Sequence, residues 1–327
     1  DLHSFPTRRS SDLRTFEYAS VEKHMTAKEA LSHLKHTGVN KQTIFTSYVM
    51  NAQRVLEGTV SLRSLVLSDE DTLIEDIMET DVLYVHAGDD QESVAQLFQK
   101  YDFVAIPVVD KEKRMIGIIT VDDIMDVIEQ EATEDFQIMA ATTPTEEKYM
   151  DASVFNLAKH RVLWLLILMI SATLSASILG RFEHILEKMT TLTLFIPMLM
   201  DTGGNAGSQS SVLIIRGLST GDLEFSDLPK VVWKEFRVAL IVGIALSLVN
   251  LARILLLHQA SIGIAVTVSL TLMGTIVIAK LLGGSLPILA DKLGVDPAIM
   301  ASPLITTIVD ASTLIIYFTI AKQLLGL

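Results

Sequence analysis

The sequence predicts a soluble α/β part built from two repeats, followed by an all-α membrane part with five spanning helices. Its 327 residues are half apolar and have a positive mean hydropathy, yet the chain carries a net charge of −13. An acidic soluble part joined to an apolar membrane part explains this combination better than one soluble domain does. The acids are concentrated before about Asp151, whereas Leu, Ile, Val, Ala and Ser dominate from Arg161 onward.

The first thirteen residues, DLHSFPTRRSSDL, match nothing that follows. They have no long apolar core, so they are not a secretory signal, and we expect them to be a non-native or disordered tail. We place the first repeat at residues 14–77, the second repeat at 78–135, a connecting helix region at 136–159 and the membrane part at 160–327.

Each repeat reads strand, amphipathic helix, strand, tight turn, strand, helix. The first contains TAKEALSHLKHTG, TIFTSYVM and GTVSLRSLV, and the second contains QESVAQLFQKYDF, VAIPVVD and MIGIITVDDIMDVIE, with Gly58 matching Gly117. This pattern resembles a tandem pair of CBS domains, which form a regulatory α/β module. The resemblance implies an adenosine nucleotide such as ATP, with Thr120 and Asp123 in the ribose-contacting pattern. The first repeat has Ser61 and Ser64 at those places.

The end of the second repeat, VDDIMDVIEQEATED, holds seven acids and no base between Asp122 and Asp135. Like charges at helical spacing destabilise a helix unless something neutralises them. One interpretation is a solvated acidic face. The other is a divalent-cation site, because hard cations prefer several carboxylate oxygens. The segment leads directly into the membrane part, which favours the second interpretation.

Five apolar segments approach the length of about 20 residues that a helix needs to cross a membrane. They are residues 162–179, 192–218, 238–257, 264–290 and 298–320. The link between the second and third carries Lys230, Lys234 and Arg237, and Arg161 precedes the first, whereas the link HQASIG between the third and fourth has no Lys or Arg. The positive-inside rule then predicts a cytoplasmic soluble part and an extracytoplasmic C-terminus in the cell membrane.

The second segment has a polar interruption, DTGGNAGSQSS, at membrane depth. Asp201, Asn205 and Ser208 fall at i, i+4 and i+7, so they form one stripe on a helix. A polar or irregular segment at membrane depth is stable only where it is buried in protein or lines a water-filled cavity. Close packing through the small residues is the alternative, but the stripe favours a pathway.

The fifth segment repeats polar residues every three or four positions: Ser302, Thr306, Asp310, Thr313 and Tyr317. An acid at bilayer depth is costly and is a functional candidate. The structural alternative is that Asp310 pairs with a basic residue, Lys280 or Arg253. An acid ringed by hydroxyls, without His or Cys, suits a hard divalent ion held largely through its water shell.

Four stretches of the membrane part together resemble the MgtE family of magnesium channels: IPMLMDTGGNAGSQSSVLIIRGL, KEFRVAL, GVDPAI and PLITTIVDASTLIIYF. The resemblance implies a homodimer with five spans per subunit, a pore along the dimer axis and magnesium-sensing cytosolic domains. It implies a pore site formed by Asp310, Asn205, Gly203, Gly204 and Thr306. It also implies a cytosolic sensor formed by Asp90, Glu92, Asp102, Asp123, Asp126, Glu131, Glu134 and Asp135. The family usually carries a helical N-terminal domain before the CBS pair, which this sequence does not contain.

We therefore expect a magnesium-selective channel that cytosolic magnesium gates through the CBS pair and the acidic helix. The alternatives are a cation exchanger coupled to sodium or protons and a membrane sensor of cations or nucleotides that conducts nothing. The sequence has no phosphate-binding loop and no catalytic arrangement, so we expect no enzyme activity. The absence of cysteine excludes a thiolate metal site, and the acidic balance argues against a nucleic-acid partner. The expected partners are the lipid bilayer, divalent cations and a second copy of the chain.

Overall fold

The computed structural model describes residues 10–145, 147–258 and 260–326, and the chain divides into two compact units, Asp1–Ala132 and Thr133–Leu327. The first unit holds both repeats, which confirms the α/β prediction for this part of the chain. The second unit is helical, as predicted for the membrane part.

The first repeat forms a three-stranded sheet with helices that cover its apolar face. Its elements are β1 (Tyr18–Val21), α1 (Ala27–Thr37), β2 (Thr43–Met50), β3 (Leu56–Ser61), α2 (Leu62–Leu67) and α3 (Ile74–Ile77). β1 runs parallel to β2, and β2 pairs antiparallel with β3. Val49, Val60, Leu65 and Ile74 are almost completely buried in the core between them.

The second repeat has the same topology. Its elements are β4 (Val85–His86), α4 (Gln91–Tyr101), β5 (Ala105–Val109), β6 (Met115–Thr120) and α5 (Val121–Met139). β4 is parallel to β5, and β5 is antiparallel to β6. Ile124 and Val127, on the apolar side of α5, are buried against this sheet, so the acids of α5 lie on the helix's other sides.

Gly58 and Gly117, which the repeat pattern matched, are glycines for the same structural reason. A Cβ on Gly58 would lie 2.8 Å from the carbonyl oxygen of Glu79, and a Cβ on Gly117 would lie 2.8 Å from that of Thr15. In each repeat another stretch of backbone therefore runs beside the second strand of the hairpin, and a side chain at the glycine would block it.

Two segments differ from the sequence-based prediction. In the predicted tail, the hydroxyl of Ser10 donates to the carbonyl oxygen of His86 over 2.6 Å, and Leu13 packs against the core of the second repeat. Residues 1–9 of that tail lie outside the described residues. The connecting helix region is also not continuous: α5 ends at Met139, Ala141 adopts a left-handed φ of 52°, and Pro144 follows, so helix resumes only at Val154.

The connector between these helices is held by hydrogen bonds within the second unit. The side chain of Gln137 donates to the carbonyl oxygen of Thr145 over 3.1 Å and accepts from its backbone N–H over 2.7 Å. The backbone N–H of Thr143 donates to the carbonyl oxygen of His160 over 2.8 Å. The Nδ1 of His160 lies 3.0 Å from the carbonyl oxygen of Thr143, which it can contact only as a donor.

In its described residues, the second unit contains the end of α5 and six further α-helices. They are α6 (Val154–Arg181), α7 (Glu183–Lys188), α8 (Ile196–Ser219), α9 (Leu228–Arg253), α10 (Ile262–Lys292) and α11 (Ser302–Leu325). Leu199, Ile276, Val309 and Phe318 are among the residues buried where α8, α10 and α11 pack together. The apolar side chains of α6 are largely exposed.

Four of the five predicted spans coincide with helices that are long and apolar enough to cross a membrane. Within the described residues these are Val154–Arg181, Phe225–Leu257, Ile262–Lys292 and Pro297–Leu325. The predicted second span, α8, is not among them, because glycines and polar side chains interrupt its apolar sequence. Its crossing of the membrane stays a prediction.

Candidate cation pathway and sensor residues

The glycines of α8 bring three helices into close contact. A Cβ on Gly203 would lie 2.5 Å from Thr275 Cγ2 of α10. A Cβ on Gly204 would lie 2.9 Å from Thr306 Cγ2 of α11. Both glycines are buried. Both serve close helix packing: Gly203 leaves room for Thr275, and Gly204 leaves room for Thr306, a residue of the predicted pore site, against α8.

The polar residues of α8 lie on a different face from the glycines. Asp201, Asn205 and Gln209 are exposed and recur at i, i+4 and i+8, whereas Ser208 is half-buried. Because one helical turn is 3.6 residues, these three exposed side chains form one continuous stripe. The predicted stripe contained Asp201 and Asn205 but had Ser208 where the structure exposes Gln209, and of this stripe the predicted pore site contained only Asn205.

Asp310 is half-buried on α11, and its Oδ1 atom is buried without a hydrogen-bond partner among the described residues. Thr306, one turn earlier, is also half-buried. The carboxylate of Asp201 lies close enough to that of Asp310 for the two to repel each other. Two acids and one hydroxyl from α8 and α11 are thus concentrated in one part of the helical unit.

The structural alternative for Asp310 is wrong within the described residues, because both candidate partners are engaged elsewhere. Lys280 Nζ lies 4.0 Å from a carboxylate oxygen of Glu235, and Arg253 donates to the side-chain oxygen of Asn250 over 2.9 Å.

The polar residues predicted to share one face of the fifth span do not share one environment. Tyr317 is buried in the unit, and its hydroxyl donates to the carbonyl oxygen of Leu192 over 2.9 Å.

The predicted sensor acids are distributed over α4 and α5. Asp90 precedes α4, Glu92 lies in its first turn, and Asp102 follows its last residue with a left-handed φ of 53°. The other predicted acids lie along α5: Asp123, Asp126, Glu131, Glu134 and Asp135. Among the described residues, no three His, Cys, Asp or Glu side chains come close enough together to hold a metal ion.

Asp135 has an unusual electrostatic environment. Burial raises its pKa to about 6, and repulsion from Asp296 acts in the same direction, while a hydrogen bond from Ser219 and the charge of Arg216 oppose it. Burial also raises the pKa of Asp296. The sequence-based site contained Asp135 but missed Asp296, whose only visible signal was its place in the GVDPAI motif.

The predicted nucleotide residues contact each other at the start of α5. Thr120 Oγ1 donates to Asp123 Oδ2 over 2.7 Å. The matching residues of the first repeat, Ser61 and Ser64, form a hydroxyl–hydroxyl contact of 2.8 Å at the start of α2. Both repeats therefore close the strand–helix turn with an i, i+3 side-chain hydrogen bond, but only the second presents a carboxylate there.

Comparison with known families and proteins gives concordant matches. Residues 196–320 match the family model described as "MgtE: Divalent cation transporter", and residues 74–130 match the CBS domain model. "Magnesium transporter MgtE" of Thermus thermophilus is 41% identical over 324 residues, which cover 99% of this chain and 72% of that protein. The protein of the same name from Bacillus subtilis is 36% identical over 321 residues, covering 98% and 70%.

Two solved structures are similar to part of the chain. One is the soluble part of a magnesium transporter, with 42% identity and a TM-score of 0.38 over 40% of this chain and 51% of that one. The other is the cytosolic domain of the Mg²⁺ channel MgtE in complex with ATP, with 40% identity and a TM-score of 0.36 over 38% and 51%. The chain thus covers about half the length of each solved chain.

Proposed function

Because the chain belongs to the MgtE family of magnesium transporters, we propose that it is a magnesium-selective channel that cytosolic magnesium closes. Membership in this family of membrane transporters establishes divalent cation transport as the general activity. The channel mechanism, the pore residues and the gating are the parts that we propose.

The observation that supports the pore most directly is the environment of Asp310. Its buried Oδ1 is unsatisfied among the described residues, Asp201 adds a second negative charge, and Lys280 and Arg253 are bound elsewhere. An acid in a membrane-spanning helix is stable only when something compensates its charge. A hydrated divalent cation would do so, and the hydroxyl of Thr306 and the amide of Asn205 offer oxygen atoms that suit its water shell.

The exposed stripe on α8 supports a homodimer. In a single chain Asp201, Asn205 and Gln209 are exposed on a helix whose neighbours are apolar enough to cross a membrane. Contact of these groups with lipid would be costly, whereas a wet pore lined by the stripes of two copies would solvate them. We therefore propose that two copies place their α8 stripes around a shared pathway. Lys230, Lys234 and Arg237 at the start of α9 would lie on the cytoplasmic side.

The spacing of the sensor acids supports a closing effect of magnesium. Among the described residues of one chain no group of three acids is preassembled. A site that forms only when acids from different elements or copies approach would bind a cation preferentially in the compact state. Such preference is required, because a ligand that binds two states equally shifts no population. Magnesium bound to these acids would therefore favour closure.

The pore assignment is tested by Asp310→Asn, which keeps the size of the side chain and removes its charge. We expect a large loss of Mg²⁺ uptake into proteoliposomes at equal protein content, because the site would no longer compensate the charge of the ion. Asp291→Asn, an exposed acid at the end of α10, is the matched control and should retain uptake. Equal uptake by parent and Asp310→Asn would contradict the assignment.

The same assay separates the channel from its alternatives. A channel carries Mg²⁺ down its own gradient without a sodium or proton gradient. Uptake that requires either gradient would indicate an exchanger, and no uptake by the parent would indicate a sensor that conducts nothing.

Gating is tested by replacing Asp123, Asp126 and Glu134 together with Asn or Gln. We expect the parent channel to close at millimolar cytosolic Mg²⁺ and the triple variant to stay open, because the acids that bind the closing ions are lost. A matched control replaces three exposed acids of the first repeat: Asp69, Asp71 and Asp76. Closure of both variants at the parent's Mg²⁺ concentration would show that α5 is merely a solvated acidic face.

We also propose that the second repeat binds an adenosine nucleotide through Thr120 and Asp123. The carboxylate at the start of α5 accepts a hydrogen bond from the hydroxyl and has further acceptor sites for the two hydroxyls of a ribose. Calorimetric titration with ATP should show binding to the parent and weaker binding to Asp123→Ala. Equal affinity of both proteins would contradict this assignment.

A further inference from the structure

A lysine is buried within the helices of the second unit. Lys280 lies on α10, one of the helices long enough to cross a membrane, and only 5% of its surface is exposed. A buried ammonium group has three donors and no acceptor, so it requires acceptors nearby. Its Nζ lies 3.2 Å from the hydroxyl oxygen of Ser210 on α8 and 4.0 Å from a carboxylate oxygen of Glu235 on α9.

Ser210 connects the two charged groups. Its hydroxyl donates to Glu235 Oε2 over 2.6 Å and accepts from Lys280 Nζ, and the residue is 1% exposed. The direct distance between the charges is at the outer limit of an ion pair, so the short hydrogen bonds run through the serine. One hydroxyl of α8 is therefore the meeting point of an acid from α9 and a base from α10.

Two consecutive glycines of α10 provide the room for this contact. A Cβ on Gly283 would overlap the carbonyl oxygen of Gly207 and lie 3.1 Å from Ser210 Cβ. A Cβ on Gly284 would lie 2.9 Å from Glu235 Cγ. The sequence Lys280-Leu-Leu-Gly-Gly thus supplies the cation and, one turn later, the space that admits both of its partners.

We infer that Ser210, Glu235 and Lys280 form a polar lock that fixes the position of α8, and that they are positioning residues for transport. Ser210 follows Asn205 by five residues, about 7.5 Å along the helix axis. If α8 slides or rotates, its hydroxyl leaves both charged groups at once. Buried charges are costly compared with an apolar contact of the same size, so their advantage here is that they define one position. The second part of this inference, that the three residues position α8 for transport, rests on the proposed function.

The first test removes only the hydroxyl. Ser210→Ala should leave the protein folded in the membrane but reduce Mg²⁺ uptake per folded molecule about tenfold, which is comparable to the loss of one hydrogen bond to a charged group. Ser247→Ala is the matched control, because its hydroxyl donates to the Ser269 carbonyl oxygen between α9 and α10 and does not involve α8. A residue with a merely structural role would change protein yield and melting temperature, but not uptake per folded molecule.

A second test exchanges the charges. Glu235→Lys alone and Lys280→Glu alone each place two like charges at the lock and should abolish uptake. The double variant restores opposite charges, and the Ser210 hydroxyl can again donate to one and accept from the other. We expect it to recover a substantial part of the parent's uptake, whereas failure to recover in a folded double variant counts against the lock.

The third test measures the position of α8 without transport. The chain has no cysteine, so Leu213→Cys on α8 and Ile241→Cys on α9, both exposed, can carry a pair of spin labels. Ser210→Ala should shift or broaden their distance distribution, and Ser247→Ala should not. If Ser210→Ala leaves both the distances and the uptake at parent values, the inference is wrong. If the parent carries no Mg²⁺, the proposed function fails, while the distances still decide whether the lock exists.

Discussion

The contact between α8 and α10 predicts the effect of one added methyl group, in the variant Gly283→Ala. The new Cβ would overlap the Gly207 carbonyl oxygen and lie 3.1 Å from both the carbonyl carbon of Gly207 and Ser210 Cβ. The carbonyl oxygen lies only 2.2 Å from the Cβ position, whereas carbon–oxygen contacts are normally about 3.3–3.6 Å, so the two helices must separate by about 1 Å along this contact. Overpacking of this kind costs about 1–3 kcal/mol of unfolding free energy.

Gly274→Ala on the same helix is the control. Its Cβ would lie 3.4 Å from Ile316 Cγ2, an ordinary contact. Both substitutions gain the same helix propensity, about 1 kcal/mol relative to glycine, so this gain cancels in the comparison. For a unit of this size, 1 kcal/mol changes the melting temperature by about 2–4 °C.

Thermal unfolding in detergent, followed by size-exclusion chromatography, measures the difference. We expect Gly283→Ala to melt below Gly274→Ala by roughly 2–12 °C, the product of these two ranges. If Gly283→Ala melts at or above the temperature of Gly274→Ala, α8 and α10 are not in close backbone contact, and the geometry of the polar lock is wrong as well.

Three further predictions concern other parts of the chain. Burial and Asp296 raise the pKa of Asp135 from 3.8 to about 6, so stability in a chelator should decline as the pH rises through this range. Asp135→Asn should weaken that decline in pH-dependent melting curves, and the buried Asp296, whose pKa is also raised, should account for the remainder. Gly58→Ala should lower the stability of the first unit by about 1–3 kcal/mol in chemical denaturation, whereas Gly88→Ala, with open space around its Cβ position, should cost little. Tyr317→Phe should lower the stability of the helical unit by about 1–3 kcal/mol in thermal melts, because a buried carbonyl loses its donor.

The fold of the first unit follows closely from local sequence. Its repeated pattern of β-branched runs and amphipathic helices predicted both three-stranded sheets, and the matched glycines Gly58 and Gly117 were recognised as equivalent. The tail was less predictable, because Ser10 is held by the backbone of His86, which is distant in sequence. For the break after α5, Pro144 is a visible signal in the sequence, whereas the left-handed conformation of Ala141 is not, because Ala rarely adopts it.

The candidate site was predicted less completely than the fold. Helical spacing shows which residues share a face, but not which neighbour that face meets. Thr313 and Tyr317 continue the spacing of Asp310, yet both are buried inside the unit. The same limit applies to Lys280, whose partners Ser210 and Glu235 come from two other helices.

The hydrogen-bonded connector between α5 and α6 has a mechanical consequence. A free linker of this length would sample many end-to-end distances and would absorb a displacement at either end. Here the side chain of Gln137 makes two hydrogen bonds to the backbone of Thr145, and the backbone of Thr143 makes two hydrogen bonds to His160. The connector therefore behaves as a short rigid link. A displacement of the last turn of α5 moves the first turns of α6 instead of being absorbed between them.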